Sequence, residues 1–258
     1  MNPLQPSQHI DQDTEDPILR DPSPPFIELA ARLMAPAHRY HDYSVVGMEH
    51  IPEKGAGLVV VNHSLATYDG FLLGLEVFQQ KRRMLVGLGD NLIFKTPVLK
   101  DLALASGIYP ANPTNGKRLL AHGHLMGVAP GGMLESLRPS TEKYQLRWND
   151  RRGFVRLAIE ARVPIILAAC PRADDLYDVR PNRLTEMAYH VLKIPVPLAT
   201  GVGPTLFPRK VKLTHYIAPP LYPPDPKWDD FEEVVESWHR QVVRTMEELM
   251  ARALAEGG

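Results

Sequence analysis

The sequence predicts a single α/β domain with a largely parallel central sheet covered by helices on both faces. Three observations carry this. Short apolar runs alternate with segments of helical periodicity from residue 26 onward. The apolar runs are nearly continuous, as strands buried on both faces require. And no change of composition after residue 26 marks a second domain in a chain of 258 residues, 44% of them hydrophobic.

Residues 1–25 are rich in Pro, Asp, Gln and Ser and offer little to bury, so they read as a disordered tail preceding one domain at 26–258. Phe26, Leu29, Ala30, Leu33 and Met34 recur at helical spacing. This helix either packs on the core or lies on a membrane surface. Strands follow at 43–46 and 57–61, separated by the turn-forming Pro52-Glu53-Lys54-Gly55. A helix at 70–79, a strand at 84–88 and a helix at 97–105 lead into a Pro- and Asn-rich loop at 109–115. The pattern then gives helix 116–122, strand 125–129, helix 152–162 and strand 164–169. A long helix at 228–255 closes the chain, with Phe231, Val234, Val235, Trp238, Val242, Met246, Leu249 and Met250 on one face.

With 29 Lys and Arg against 30 Asp and Glu, no global basic field points to nucleic acid, and any anion site must be local. The single cysteine, Cys170, excludes an intrachain disulfide and a multi-cysteine zinc site, and suits a reducing, cytoplasmic compartment. The longest apolar stretches fall far short of the roughly 20 residues a transmembrane helix needs, which leaves peripheral attachment.

Three stretches carry chemical potential. In "VVVNHSLATYDGFLLG", His63 ends a strand and Asp69 opens a helix, so both belong to the carboxyl edge of the sheet, where open α/β folds bind ligands. An imidazole there takes a proton from a hydroxyl while a carboxylate fixes its tautomer; equally, Asp69 is an ordinary helix cap and His63 a core histidine. In "VAPGGMLESLR", Gly131 and Gly132 let the backbone approach a ligand, or simply make a turn, with Glu135 and Arg138 following. In "WNDRRGFVRLA", the arginines meet phosphate or solvate a helix face.

Other signals are weaker. His122 and His124 lack a third ligand at a spacing that completes a metal site. Cys170 reads as packed rather than nucleophilic, and Asp174, Asp175 and Asp178 either cap a loop or contact an acceptor, the structural role being favoured. "TNGKR" lacks the spacing of a phosphate loop, "GLGDNL" lacks the third glycine of a dinucleotide site, and no G-x-S-x-G elbow is present. Each of the clusters Lys81-Arg82-Arg83 and Lys117-Arg118 either meets phosphate or is solvated.

Taken together, "NHSLATYD", "APGGMLESL" and the later "VPII" strand resemble the glycerolipid and lysophospholipid acyltransferase superfamily, nearest its diacylglycerol- and phytol-acylating branch, over about residues 40–220. The resemblance implies transfer of an acyl group from acyl-CoA or acyl-carrier protein to a lipid hydroxyl, with His63 as general base, Asp69 orienting it, and no metal or redox cofactor. It places substrate contacts at Gly131, Gly132 and Glu135, with Arg138, Lys117 and Arg118 nearby to replace charge that the motifs lack, and the protein is expected to attach peripherally to a membrane surface. Three departures matter: residues 107–113 lack the arginine usual in the phosphate-acylating branch, Leu134 stands where the neutral-lipid branch often has arginine, and the membrane-spanning helices many relatives carry are not expected here, so attachment falls to the helix around Phe26 to Met34 or to exposed apolar surface. A lipid carrier and an acyl thioesterase are the rival readings.

Overall fold

The computed structural model describes residues 24–89, 93–180, 198–225 and 230–257. The predicted tail falls almost wholly outside them.

The sheet is built around its two most apolar strands. β2 (Gly57–Val61) and β6 (Ile165–Ala169) lie side by side in parallel, Leu58 opposite Ile165 and Val61 opposite Ala168. Their side chains alternate between faces, as the strand period of two demands. Leu58, Val60, Ile165, Leu167 and Ala169 belong to one core cluster, and Val59, Ile166 and Ala168 to the other. Outward from this pair run β5 (Leu125–Val128), β3 (Leu85–Gly89) and β4 (Ile108–Pro110) on one side, and β9 (Thr214–Ile217) and β1 (Ser44–Val46) on the other. Within this seven-stranded sheet only the β6–β9 pairing is antiparallel. A separate two-stranded ribbon joins β7 (Asp178–Val179) to β8 (Ala199–Thr200). The α/β class and the largely parallel sheet agree with the sequence.

Helices α4 (Pro113–Ala121), α6 (Gly153–Ala161) and α7 (Phe231–Glu256) cover the larger core cluster, which holds Trp148, Phe154 and Trp238. α2 (Tyr68–Lys81) covers the other face through Leu73 and Val77, and α1 (Pro24–Tyr40) packs against α2. α3 (Pro97–Ala105) lies between β3 and β4, and the one-turn α5 (Gly132–Ser136) follows β5.

Strand 57–61 and helix 97–105 match the sequence reading residue for residue. Elsewhere the structure corrects it. The expected loop at 109–115 contains β4 and the first turn of α4: Pro110 sits on the edge strand, where no donor is needed, and Pro113 occupies the first helical turn. The Asn112 side chain caps that helix by accepting from Asn115 N at 2.8 Å. α2 begins at Tyr68 after Thr67, so Asp69 lies inside the first turn and is not the N-cap. α1 runs through Pro36 to Tyr40, well beyond residue 34.

β9 carries a buried imidazole. His215 accepts or donates at 2.8 Å through Nδ1 with the Tyr43 hydroxyl, and burial lowers its pKa from 6.5 to about 3. Between those two values the unfolded chain holds the extra proton and the folded chain does not, so stability falls as pH drops. His215→Gln, which cannot titrate, is expected to lose about 2 kcal/mol less than wild type between pH 7 and pH 5. Urea denaturation midpoints at the two pH values check this.

Candidate active site

At the carboxyl end of β2 the chain turns sharply, and Asn62 pins the turn. Its side-chain NH2 donates to Cys170 O at 3.3 Å and its Oδ1 accepts from Cys170 N at 2.8 Å, tying the ends of β2 and β6 together. That clamp fixes where His63 emerges. His63 is largely buried, and burial, helped by the Arg138 charge, lowers its pKa to about 4. The imidazole is therefore neutral at physiological pH, the state in which it can accept a proton.

Asp69 is buried in the first turn of α2. Burial raises its pKa to about 6, opposed by its own N–H, the Ser64 hydroxyl and the Gly70 N–H. Asp69 Oδ1 accepts from Ser64 Oγ at 3.3 Å. Among the described residues no hydrogen bond joins His63 to Asp69. The Asp69 carboxylate instead neighbours Cys170 and His215, whose ligand-type atoms all lie within 4.8 Å of one another. These donor types suit a tetrahedral ion. Burial, however, pushes the Cys170 thiol well above its usual pKa, and the N–H groups of Ala173 and Thr214 already point at its sulfur.

The glycine-rich stretch is built around Glu135. Gly132 has φ +50, a left-handed conformation that favours glycine. A Cβ on Gly131 would come within 2.0 Å of Glu135 Oε2, so only glycine lets that carboxylate fold back over the turn. Gly132 N–H is committed to Ala129 O at 3.0 Å, which leaves the Gly131 N–H, unpaired among the described residues, as the backbone donor available to an oxyanion. Arg151 locks the same turn from outside by donating to Pro130 O at 2.8 Å and to Gly131 O.

Arg138 joins these parts. Its guanidinium is 4% exposed, lies 3.6 Å from Glu135, and donates to Asp174 Oδ2 and to Gln145 O, each at 2.5 Å. Burial raises the pKa of the fully buried Glu135 to about 7 despite the neighbouring arginine. Leu65, Ser136, Arg138, Lys143, Asp174 and Tyr177 line a narrow cleft at this edge.

Of the predicted site residues, the fold thus brings His63, Asp69, Gly131, Gly132, Glu135 and Arg138 to one edge of the sheet. Lys117 and Arg118 lie further along α4, where Lys117 pairs with Glu160 of α6 at 2.8 Å. Sequence reasoning missed Asn62, which only the neighbouring motif marks. It singled out Arg151 only within an arginine-rich stretch and favoured a structural role for Asp174, and the partners the two take here have no local signal.

The family model described as Acyltransferase matches residues 42–170. The chain is 33% identical over 195 residues to the "DGAT1/2-independent enzyme synthesizing storage lipids" of Bos taurus, covering 73% of this chain and 54% of that protein. It is 29% identical over 221 residues to an uncharacterized protein of Mycobacterium tuberculosis, covering 82% of this chain and 61% of the relative. The chain therefore spans little more than half the length of these relatives. The fold is similar to the crystal structure of the 1-acyl-sn-glycerophosphate acyltransferase PlsC from Thermotoga maritima, with TM-score 0.55 and 18% identity over 87% of this chain and 80% of that one.

Asn62→Ala is expected to destabilise the protein by about 2 kcal/mol, because it strands the buried Cys170 N–H and frees the turn that carries His63. Chemical denaturation checks the loss.

Proposed function

Because the chain belongs to the acyltransferase family, we propose that it moves a fatty acyl group from an acyl thioester to the hydroxyl of a glycerolipid, lysophospholipid or other lipid alcohol. The donor is acyl-CoA or acyl-carrier protein. The observation that carries this reading is a partly buried, neutral His63 at the carboxyl edge of the sheet, beside a buried arginine and a glycine turn with a free N–H.

In this reaction His63 takes the proton of the acceptor hydroxyl as its oxygen attacks the thioester carbonyl. The resulting oxyanion draws on the Gly131 N–H and the positive field of Arg138. Collapse breaks the C–S bond, the ester forms, and the leaving thiolate recovers the proton from the imidazolium. Asp69, held by Ser64, supplies the negative charge that stabilises the imidazolium in between. The name of the bovine relative, an enzyme synthesizing storage lipids, favours a neutral-lipid acceptor. So does the absence of arginine from residues 107–113.

Attachment to the lipid surface is peripheral in this proposal. No helix of the described residues is long and apolar enough to cross a membrane. Leu206 and Phe207, 71% and 58% exposed, sit on a loop that Val202 N–H closes by donating to Phe207 O at 2.8 Å, with Arg209, Lys210 and Lys212 just behind. Tyr40 of α1 holds this loop by donating to Pro208 O at 3.0 Å, and Leu29 and Leu33 of α1 are exposed as well. Apolar tips backed by cations suit an anionic bilayer surface.

Two outcomes are expected. With palmitoyl-CoA and diacylglycerol, lysophosphatidate or a long-chain alcohol, wild type forms a new ester by mass spectrometry, and His63→Ala loses at least about a hundredfold in kcat while keeping its fold. Thiol release at the same rate without any acceptor marks a thioesterase instead, and lipid binding with no release marks a carrier. Leu206→Asp/Phe207→Asp is expected to abolish sedimentation with phosphatidylglycerol vesicles.

A further inference from the structure

A second cleft, of about 490 Å³, opens between α7 and the 146–152 segment, which leads from Arg138 to α6. Its volume is in the range of small-molecule sites, and three features set it apart from an ordinary surface groove. Three guanidinium groups converge on it: Arg152 from the 146–152 segment, and Arg240 and Arg244 one helical turn apart on α7. Arg244 has no ion-pair partner among the described residues, and the pairs made by the other two are partly exposed and replaceable: Arg240 to Glu236 at 2.7 Å, Arg152 to Glu236 and Asp150 at 3.4 Å each. Finally, the wall contains buried polar atoms left without partners. His239, 7% exposed, has an unpaired Nε2, and Arg152 has an unpaired Nε. Unpaired buried polar groups are rare enough to need a reason.

We propose that this cleft holds the phosphorylated end of a substrate, with Arg152, Arg240 and Arg244 as its phosphate ligands. Planar guanidinium groups bind phosphate oxygens in pairs, and a phosphate seated between the three relieves their mutual repulsion. Asp150, Glu236 and Glu247 also line the cleft, so the ligand competes with Glu236 for Arg152 and Arg240. The cleft communicates with the reaction centre through its own wall: Trp148 faces Glu135, Glu135 pairs with Arg138, and Arg138 acts on His63. Phosphate in this cleft comes from one of two sources, the phosphoadenosine of a coenzyme A donor or the head of a phosphorylated acceptor. The assignment rests on the acyl-transfer reading for its choice of substrates, and its binding test does not depend on turnover.

The test is calorimetric titration of the full chain with adenosine 3′,5′-bisphosphate and, separately, glycerol 3-phosphate, for wild type, Arg240→Gln/Arg244→Gln, and Arg252→Gln as a control on the same helix. At least one probe is expected to bind wild type, to bind the double variant at least tenfold more weakly, and to bind the control unchanged. Tighter binding of the bisphosphate, with a raised KM for acyl-CoA in the double variant at constant kcat, assigns the cleft to the donor. Tighter binding of glycerol 3-phosphate, with a raised KM for lysophosphatidate, assigns it to the acceptor. Wild type binding neither probe, or a double variant or control that fails this pattern, overturns the proposal even if acyl transfer is observed. Binding without any acyl transfer overturns the proposed reaction and leaves the site standing.

Discussion

One buried cation holds the carboxyl edge of this sheet together. Arg138 is nearly inaccessible to water, and a guanidinium in that state needs compensating groups on every side. It takes them from three separate pieces of chain: Glu135 in α5, the Gln145 carbonyl in the segment leading to α6, and Asp174 in the turn after β6. The loops that follow β5 and β6 are therefore fixed relative to one another by a charge rather than by apolar packing. Removing either carboxylate would leave that charge only partly compensated, where breaking a buried pair outright costs about 3–5 kcal/mol. The Gly131 turn is part of the same arrangement, because only glycine there lets Glu135 reach back over it.

The same burial sets where protons reside. For Glu135 the loss of water outweighs the attraction of Arg138, and its pKa rises to about 7. For Asp69 it outweighs the helix N–H groups, and the pKa rises to about 6. For His63, burial and Arg138 act in the same direction, and the pKa falls to about 4. Near neutral pH the edge thus carries a neutral imidazole, an ionised Asp69, and a Glu135 close to its own midpoint. Environments that push neighbouring groups apart in this way mark acid–base assignments.

What the sequence made legible follows from how local each signal is. β2 and β6 announce themselves as continuous apolar runs because they are buried on both faces, and His63 and Asp69 inherit their place at the edge from those strands. β4 was hidden by Pro110 and by a length of three residues, although Tyr109 is fully buried. β9 was hidden because "THYI" is short and opens on two polar residues, and its His215 is kept dry by Tyr43, a residue 172 positions away. Asn62 and Arg151 act through backbone carbonyls at distances of 108 and 20 residues, and such partners have no signature in a single sequence. Asp69 lies at the helix start but two positions past the cap, because the helix begins after Thr67, which holds a left-handed conformation.

Arg138 also constrains the order of events in the proposed reaction. A positive charge near His63 disfavours the imidazolium, so a mechanism that first stored the proton fully on the ring would work against the site's own field. The same charge favours the oxyanion that forms on the thioester carbonyl. These two effects oppose each other only if proton transfer precedes attack. When the hydroxyl loses its proton as its oxygen bonds to carbon, the positive charge growing on His63 is matched by negative charge growing on the oxyanion. The electrostatics of this edge therefore suit concerted base-assisted attack, in which neither charge accumulates alone.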